Sequence, residues 1–305
     1  MADGHPPLQW GAQALWQELV GLLPGLSVEV LASVDSTNTR LLERARLLSG
    51  DRRGPVTTPG DLDAVRAGDG RPTPHGRRQD DNRPALLVAE LQTLGRGRQG
   101  RTWQSSAGRS LTFSLALPLH PPSWSGLSLA VGVALADALD PASGATPPRL
   151  WLKWPNDLWL MDAPGRGRKL GGILIETMAV GERRMAVIGI GLNVLPRATT
   201  ADLSSGYACL QELQADIDAP RALHRVAAPL VRALQTFERE GFAPFAAAFA
   251  RRDLLFGQPV TTTLQGVPEG VAEGVDEQGA LRVRVDGSGL HALVSGEVSV
   301  RPVAA

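Results

Sequence analysis

Cysteine is almost absent from this chain of 305 residues, with Cys209 as its single example. One cysteine cannot form an internal disulfide or a multi-cysteine zinc site, and such scarcity is typical of proteins from a reducing compartment. The N-terminal residues lack the basic segment followed by an apolar run that marks a secretion signal. No stretch approaches the roughly 18 apolar residues of a membrane span. The sequence therefore predicts a soluble, cytoplasmic protein without membrane contact.

The chain also lacks a net charge, because its 31 Lys and Arg residues balance its 31 Asp and Glu residues. A protein that wraps nucleic acid is more often basic overall, since it has to neutralise many phosphates. The neutral balance therefore favours a local anion site over a chain devoted to nucleic-acid binding. A length of 305 residues predicts one large domain with a buried core and a second, smaller domain.

Lysine is nearly missing, since only Lys153 and Lys169 are lysines among the 31 basic residues. The chain is rich in Ala, Gly, Pro and Arg, a composition typical of codon bias that favours Arg wherever either cation serves. Arg and Lys differ at exacting sites, because the guanidinium is planar and the ammonium is compact. The two lysines are therefore candidates for roles that Arg cannot fill, with chance survival as the alternative.

Acidic residues are absent from positions 91–136, a stretch that carries Arg96, Arg98 and Arg101 among glycines. Glycines let backbone N–H groups approach an anion closely, and Arg supplies a planar fork for carboxylate or phosphate. The segment 93–106, here called the Gly-Arg loop, thus carries positive charge that nothing nearby in the sequence cancels. At this point the ligand of the loop can be nucleic acid, a phosphate or a carboxylate. The alternative is a solvated hairpin tip that binds no ligand.

Apolar periodicity predicts the elements around this loop. Helices are predicted over 8–23, 39–48, 124–139 and 221–252, strands over 26–34, 84–92, 109–119 and 150–160, and a hairpin over 169–195. Residues 49–84 have no aromatic and few aliphatic side chains, which predicts a disordered surface insertion. Short strands and turns near the C-terminus predict a small β-barrel. We therefore expect one domain over 1–253 and another over 254–305.

Three further motifs combine polar residues or glycines with strand patterns. The motif KWPNDL places Lys153 at a strand end and Asn156 after it as a polar ligand, with an ordinary Pro-Asn-Asp turn as the alternative. In KLGGILIE, Lys169 precedes Gly171 and Gly172, where missing side chains permit close approach of a ligand, with a β-bulge as the alternative. The motif GIGLNV similarly predicts an open face for a flat ring. A dinucleotide fold is not predicted, because no G-x-G-x-x-G precedes a helix.

These motifs resemble, in order along the chain, those of bacterial biotin protein ligases, also called biotin–acetyl-CoA-carboxylase ligases. They are DSTN, AELQTLGRGRQGRTW, KWPNDL, KLGGILIE, GIGLNV and the C-terminal GVDEQGAL and SGEVSVR. The resemblance runs from about Ser27 to the end of the chain. It implies an α+β fold, in which a mixed β-sheet flanked by helices, related to class II aminoacyl-tRNA synthetases, precedes an SH3-like β-barrel.

The resemblance implies a ligase that uses ATP and Mg²⁺ to convert biotin to biotinyl-5'-AMP and then biotinylates a lysine of a biotin carboxyl carrier protein. The implied catalytic residues are Lys153 and Arg98. The implied biotin-binding residues are Ser36, Thr37, Asn38, Gln92, Arg96, Gly97, Arg98, Trp103, Lys153, Gly171 and Gly172. The implied residues for ATP and the adenylate are Arg96, Arg98, Arg101, Asn156, Lys169, Asn193 and Arg301. Mg²⁺ is implied only on the ATP phosphates, with no protein ligand assigned.

Bifunctional members of that family carry an N-terminal winged helix-turn-helix, whereas 34 residues precede DSTN here. The resemblance therefore implies a monofunctional ligase without DNA binding, and it leaves a homodimer open. A lipoate or octanoate ligase or transferase of the same fold is the nearest alternative, although Cys209 has no evident activating base. A Gly-Arg RNA-binding module is the alternative of another class, disfavoured by the zero net charge and the lack of aromatic platforms.

Overall fold

A seven-stranded mixed β-sheet forms the larger part of the computed structural model. The structure describes residues 8–49, 83–141, 147–163, 166–180, 183–197, 205–294 and 300–302. The strands of this sheet are β1 (Ser27–Val34), β2 (Ala85–Gln92), β3 (Ser110–Pro118), β4 (Leu150–Lys153), β5 (Asp157–Ala163), β6 (Arg166–Val180) and β7 (Arg183–Asn193). They lie side by side in the order β1-β2-β3-β7-β6-β5-β4. Within this sheet β1 and β2 run parallel, and the other neighbours pair antiparallel.

Helices cover both faces of the large sheet, which confirms the predicted α+β class. They are α1 (Ala12–Leu19), α2 (Thr37–Ser49), α3 (Leu127–Leu139), α4 (Ala219–Glu240) and α5 (Ala246–Ala250). Successive side chains of a strand point to opposite faces. In β2, Leu86 and Val88 join the larger core with α1, α3 and α4, whereas Leu87 joins a smaller core with Leu41 of α2. Among the described helices, none has the length and apolar character required to span a bilayer.

Two predicted strand segments form hairpins. Residues 169–195 contain most of β6 and all of β7, and Val180 lies opposite Arg183, as the predicted hairpin requires. The segment 150–160, predicted as one interrupted strand, forms β4 and the first part of β5 around a turn with a cis Trp154–Pro155 peptide bond. The KWPNDL motif therefore occupies the tip of a hairpin at one edge of the sheet.

The helical region predicted over 221–252 is interrupted. Helix α4 ends at Glu240, because Gly241 adopts a φ of 68°, outside right-handed helical space. The short helix α5 follows after a single 3₁₀ turn. The predicted insertion over 49–84 lies outside the described residues except at its two ends.

A five-stranded antiparallel sheet follows the helices, as the run of short C-terminal strands predicts. Its strands are β8 (Pro259–Thr262), β9 (Glu269–Val275), β10 (Leu281–Val285), β11 (Gly289–Leu293) and β12 (Val300–Pro302), in the order β11-β10-β9-β8-β12. Hydrogen bonds near the KWPNDL motif join the large sheet to the segment before β8 and to the turn between β9 and β10. Trp154 Nε1 donates to Gly279 O (3.1 Å), and Leu254 N donates to Leu152 O (3.0 Å). The domain boundary at residue 254 stays a prediction.

Asp253 lies at this junction and is almost completely buried. Its Oδ1 accepts a hydrogen bond from Leu255 N (2.9 Å), whereas its Oδ2 is buried without one. Burial raises the pKa of Asp253 to about 6, although the backbone N–H groups of Leu255 and Phe256 oppose the shift. The junction therefore contains a carboxyl group that is poorly solvated when it is ionised.

Replacement of Asp253 by Asn should stabilise the protein more at alkaline pH than at acidic pH, in comparison with wild type. The pKa of this carboxyl is about 6 in the folded protein, against an ordinary value of 3.8. Its contribution to stability is fully present below about pH 4 and is lost as the pH rises through about 6. The difference in free energy of unfolding between Asp253→Asn and wild type should therefore grow by about 2 kcal/mol between pH 4 and pH 8. Denaturant titrations at both pH values measure it, and a pH-independent difference contradicts the prediction.

Candidate active site

A cavity of about 610 Å³ opens between the large sheet and β12. Its walls come from the start of α2, the Gly-Arg loop, the turn between β4 and β5, the middle of β6 and β7, and β12. All residues that the sequence resemblance implies for the site line this cavity, with the exception of Gly171. Both lysines of the chain, Lys153 and Lys169, are among them.

The first turn of α2 forms an uncharged hydrogen-bonded cluster at one end of the cavity. Gln92 Oε1 accepts hydrogen bonds from Thr37 N (2.7 Å) and Thr37 Oγ1 (3.1 Å). Ser114 Oγ lies 2.6 Å from both Thr37 Oγ1 and Asn38 Oδ1. Ser36, Thr37 and Asn38 are buried, and buried polar groups are stable only when they are hydrogen-bonded. The protein's own contacts therefore hold this cluster in place.

The Gly-Arg loop forms a narrow hairpin beside the cluster. Gly97 N donates to Arg101 O (2.7 Å), and Trp103 N donates to Gly95 O (2.9 Å). A Cβ on Gly95 would overlap the Trp103 carbonyl oxygen, so this close approach requires glycine. The backbone of the hairpin thus sets where its side chains enter the cavity.

An acidic residue from a distant strand neutralises part of this loop. Arg96 Nη2 donates to Glu176 Oε1 (2.9 Å), and Arg96 Nη1 donates to Glu176 Oε2 (3.1 Å). Glu176 lies on β6, 80 positions further along the chain. The expectation that the charge of the loop stays uncancelled is therefore wrong for Arg96, because folding brings the end of the KLGGILIE motif against it.

Arg98 takes a different direction from Arg96. Arg98 Nη1 donates to Asn156 Oδ1 at 3.4 Å, which places the guanidinium beside the KWPNDL turn. Burial lowers the pKa of Arg98, an effect that the nearby carboxylate of Asp157 opposes. The side chains of the two arginines of the GRGR sequence therefore lie toward opposite ends of the cavity.

The two lysines lie around Asp157. Lys169 Nζ is 2.7 Å from Asp157 Oδ1, and Lys153 Nζ donates to Val300 O (2.8 Å) of β12. Burial lowers the pKa of the Lys153 ammonium below its usual range, and Asp157 opposes this shift. The nearby cations Lys169 and Arg301 lower the pKa further. An anionic ligand would relieve this repulsion, because it adds negative charge where cations are poorly solvated.

Two asparagines line the cavity and also brace its walls. Asn156 Nδ2 donates to Ile173 O (2.8 Å), and Asn193 Nδ2 donates to Ala208 O (3.0 Å). Each amide thus ties the end of one strand to a neighbouring segment. Both Nδ2 groups are thus engaged by backbone carbonyls, and Asn156 Oδ1 also accepts from Arg98 Nη1.

The neighbouring glycines Gly171 and Gly172 take opposite faces of β6. Gly172 lines the cavity, where a Cβ would be 3.4 Å from Asp157 Oδ1. Gly171 faces away, and a Cβ there would be 2.5 Å from Gly191 O. The structure therefore does not bring Gly171 to the cavity, because consecutive residues of a strand alternate between faces.

The glycines of the GIGLNV motif make room for the protein's own side chains. A Cβ on Gly189 would overlap the Asn38 amide, and a Cβ on Gly191 would be 2.5 Å from Trp103 Cε2. Both glycines line the cavity, and Asn38 and Trp103 cover part of the face that we expect to be open for a flat ring. Trp103 Nε1 is buried without a hydrogen-bond partner among the described residues, which leaves a donor for a ligand.

Two family models match the chain. The Biotin/lipoate A/B protein ligase family matches residues 75–193, and the Biotin protein ligase C terminal domain matches residues 255–301. The chain is 34% identical to the bifunctional ligase/repressor BirA of Escherichia coli, over 93% of this chain and 77% of that protein. It is 32% identical to the biotin–[acetyl-CoA-carboxylase] ligase of Mycobacterium tuberculosis, over 93% of this chain and 92% of that protein. This chain belongs to the biotin protein ligase family.

The fold of a solved relative agrees with this assignment. The biotin protein ligase from Aquifex aeolicus in complex with biotin and ATP matches with a TM-score of 0.64 and 26% identity. The match covers 90% of this chain and 99% of that one. The protein is therefore a ligase with the biotin protein ligase fold.

Sequence reasoning missed two residues that hold the polar cluster of this ligase, Ser114 and Glu176. A signal for Ser114 is present, because Ser110, Thr112 and Ser114 alternate with apolar residues along β3 and all three are buried. Glu176 carries a weaker signal, since it lies an even number of positions from Gly172 and therefore on the same face of β6.

Two further residues of the cavity, Tyr207 and Arg197, carry no such signal. Tyr207 Oη donates to Leu195 O (2.7 Å), and burial raises the pKa of Tyr207 to about 12. The Arg197 guanidinium carbon lies 5.8 Å from the centre of the Tyr207 ring. Arg197 contacts Gln104 and Ser106 of the Gly-Arg loop, whereas Tyr207 reaches the cavity because its neighbours Ser205 and Ala208 hydrogen-bond to Lys169 of β6.

Substitution of Gly191 by Ala should destabilise the ligase, because the new methyl group has to displace the Trp103 indole. Overpacking of this kind costs about 1–3 kcal/mol of unfolding free energy. The matched control is Gly266→Ala, where nothing lies within 4 Å of the added Cβ. Denaturant titration of both variants measures the effect, and equal shifts for the two would contradict the proposed contact.

Proposed function

We propose that this ligase converts biotin and ATP to biotinyl-5'-AMP and pyrophosphate, and then transfers the biotinyl group to a lysine of a biotin carboxyl carrier protein. One observation carries the proposal: the same cavity combines an uncharged hydrogen-bonded cluster with a group of partly buried cations. The first suits a neutral ring, and the second suits a carboxylate and a phosphate. The names of the relatives, and the biotin and ATP in the Aquifex aeolicus structure, support both parts of this assignment, the neutral ring and the anions.

The uncharged end is proposed to bind the ring system of biotin. The ureido group of biotin presents one carbonyl acceptor and two N–H donors. The proposed partners are Ser36, Thr37, Asn38 and Gln92, whose hydroxyl and amide groups include both donors and acceptors. Trp103 supplies an apolar wall and one further N–H donor. Thr37, Asn38 and Gln92 are held by hydrogen bonds within the protein, which lowers the entropy cost of binding.

The register of β6 and β7 supports the separation between the two ends. Leu174 lies opposite Gly189, where Asn38 contacts the sheet, whereas Gly172 lies two residues away, beside Lys169. Two residues along a strand correspond to roughly 7 Å. The flexible acyl tail of biotin can bridge such a distance, and its carboxylate would then reach the cationic end.

At the cationic end, a carboxylate oxygen of biotin would attack the α-phosphorus of ATP as the bond to pyrophosphate breaks. Both reactants are anions that repel each other, so the step needs alignment and fixed positive charge. We assign Lys153 and Arg98 to the charge that develops at the reacting centre, and Arg101 to the phosphate. Partial burial of Lys153 and Arg98 supports this role, because their fields are less screened than those of exposed cations.

In the second step, the amine of the carrier lysine would attack the acyl carbon of biotinyl-5'-AMP. The bond to AMP breaks, and the amine releases a proton as the amide forms. Neither step requires a covalent link to the enzyme. The protein therefore needs only to bind and align the reactants and to stabilise charge, and the side chains that line the cavity suit these tasks.

The proposed contacts of ATP and the adenylate are Asn156, Lys169, Asn193 and Arg301. Mg²⁺ fits the cavity as an ion that arrives on the phosphates. Among the described residues, no three His, Cys, Asp or Glu side chains come together, and Asp157 is the only acidic residue of the described lining. Protein-bound Mg²⁺ commonly uses one or two carboxylates together with phosphate oxygens and water. Asp157 would hold the ion, whose charge would neutralise the phosphates.

A lipoate or octanoate enzyme of the same family is less well supported by this site. An octanoyl transferase needs a reactive thiolate, but Cys209 is buried. Burial raises the pKa of the Cys209 thiol, and the nearby carboxylate of Glu212 raises it further. Both effects disfavour the thiolate. An RNA-binding role is disfavoured because the arginines of the Gly-Arg loop line a cavity that they share with Lys153.

Exchange of labelled pyrophosphate into ATP tests the proposed activation step. The purified ligase should catalyse exchange with biotin and should not do so with lipoate or octanoate. A carrier domain should then be labelled at one lysine, and a carrier with that lysine replaced by Arg is the control. Exchange with lipoate alone would make the protein a lipoate ligase, and the absence of exchange with every acid would refute the activation step.

Lys153→Arg should slow adenylate formation although it keeps the charge. A guanidinium is wider and planar, so it cannot occupy the position where the ammonium donates to the Val300 carbonyl. Loss of one preorganised stabiliser of this kind lowers kcat by a factor on the order of 10² to 10³. Transfer from pre-made biotinyl-5'-AMP should be affected less, because the two anions are already joined.

Single-turnover assays of both steps measure this difference, with Arg183→Lys at the exposed start of β7 as the control. A Lys153→Arg variant that is folded and forms the adenylate at the wild-type rate would place Lys153 outside the reacting centre.

A further inference from the structure

Glu176 connects the two parts of the cavity wall that surround the uncharged cluster. Its Oε2 accepts a hydrogen bond from Asn38 Nδ2 (3.0 Å) and another from Arg96 Nη1 (3.1 Å). Its Oε1 accepts from Arg96 Nη2 (2.9 Å). Asn38 belongs to α2, and Arg96 belongs to the Gly-Arg loop. One carboxylate on β6 therefore bridges a helix and a loop that are otherwise separate segments.

The direction of Arg96 differs from that of the cations at the reacting end. Arg96 Nη1 also lies 3.4 Å from Thr39 Oγ1, on the α2 side of the loop. Arg98, two residues later, contacts Asn156 on the KWPNDL side. Both Nη atoms of Arg96 are engaged by Glu176, and this bidentate geometry is the strongest that a guanidinium and a carboxylate form.

The backbone of the hairpin couples this ion pair to the apolar wall of the cavity. Arg96 pairs with Thr102 across the hairpin, and the adjacent Trp103 N donates to Gly95 O. Trp103 in turn lies against Gly191 of β7. An anchored Arg96 therefore helps to keep Trp103 on the sheet, and a released Arg96 removes the attachment of the hairpin to α2 and β6 on this side.

We propose that Glu176 is a positioning residue that anchors the Gly-Arg loop through Arg96, so that the adenylate is retained in the cavity. Arg96 then acts on the loop and does not bind the acyl-phosphate, which is the task of Arg98 and Arg101. The proposal rests on the proposed function, since the retained ligand is biotinyl-5'-AMP. It assigns different roles to two arginines that are indistinguishable in the GRGR sequence.

The physical reason is that the Gly-Arg loop forms one wall of the cavity, so a loop that is held in place slows the exit of the adenylate. An ion pair between partly exposed groups is weak by itself, but here it is reinforced by the Asn38 hydrogen bond and by the hairpin. Loss of the carboxylate charge would remove the anchor from both Asn38 and Arg96. The rate at which the adenylate dissociates is then the quantity that changes most.

The experiment measures dissociation of pre-made biotinyl-5'-AMP by rapid displacement from four proteins. They are wild type, Glu176→Gln, Arg96→Gln and the double variant. Each single variant should release the adenylate roughly fivefold faster than wild type, the effect expected for loss of one such pair. The double variant should be no faster than the faster single variant, because both substitutions remove the same interaction.

The matched control is Glu29→Gln. Glu29 on β1 forms a bidentate pair with Arg44 of α2, at 2.9 and 2.7 Å, but neither residue lines the cavity. This substitution removes the same chemistry from the same helix and should leave the dissociation rate within about twofold of wild type. The Michaelis constant for ATP should also be unchanged in Glu29→Gln, since neither Glu29 nor Arg44 lines the cavity.

Three outcomes would overturn the proposal. In the first, Glu176→Gln releases the adenylate at the wild-type rate. In the second, Glu176→Gln slows release while Arg96→Gln speeds it, which would mean that Arg96 binds the ligand and Glu176 only competes for it. In the third, the effects of the two substitutions add. If wild type itself neither binds biotinyl-5'-AMP nor exchanges pyrophosphate, the proposed function fails instead, so the two failures are distinguishable.

Discussion

The cavity of this ligase depends on the close approach of two side chains to β7. Asn38 and Trp103 lie where side chains of Gly189 and Gly191 would otherwise be, and a Cβ at either position would overlap them. Because these positions are empty, the first turn of α2 and the Gly-Arg hairpin can both rest on the sheet. Protein interiors are closely packed, so this contact sets the positions of both walls within narrow limits.

Charge in the cavity is distributed among fixed partners. Lys169 pairs with Asp157, Arg96 pairs with Glu176, and Lys153 donates to a backbone carbonyl. Each cation is therefore oriented by the protein itself. Oriented, partly buried charges stabilise developing charge better than mobile ones, because little reorganisation is needed when the reaction occurs. The neutral composition of the whole chain is compatible with this arrangement, since the charge that matters is local.

The C-terminal sheet contributes to the end of the cavity where we propose that the reaction occurs. Lys153 donates to Val300 O of β12, and the adjacent Trp154 donates to Gly279 O. Two consecutive residues of the KWPNDL motif thus contact the second sheet. A shift of that sheet would change the surroundings of Lys153, because the accepting carbonyl would move with it. The small sheet is in this respect a part of the cavity wall.

Local patterns in the sequence determined the elements, the family and most of the cavity lining, because strand alternation, turns and short motifs are properties of neighbouring residues. The tertiary structure alone decided which side chains pair. Arg96 looked uncancelled because its counter-ion, Glu176, is 80 positions away, and only the placement of the Gly-Arg loop beside β6 joins them. Gly171 and Gly172 looked equivalent in the sequence. Because both faces of the sheet are buried, the sequence does not mark the face that carries the cavity. Ion pairing and cavity shape depend on residues that are distant from one another in the sequence, so no local pattern predicts them.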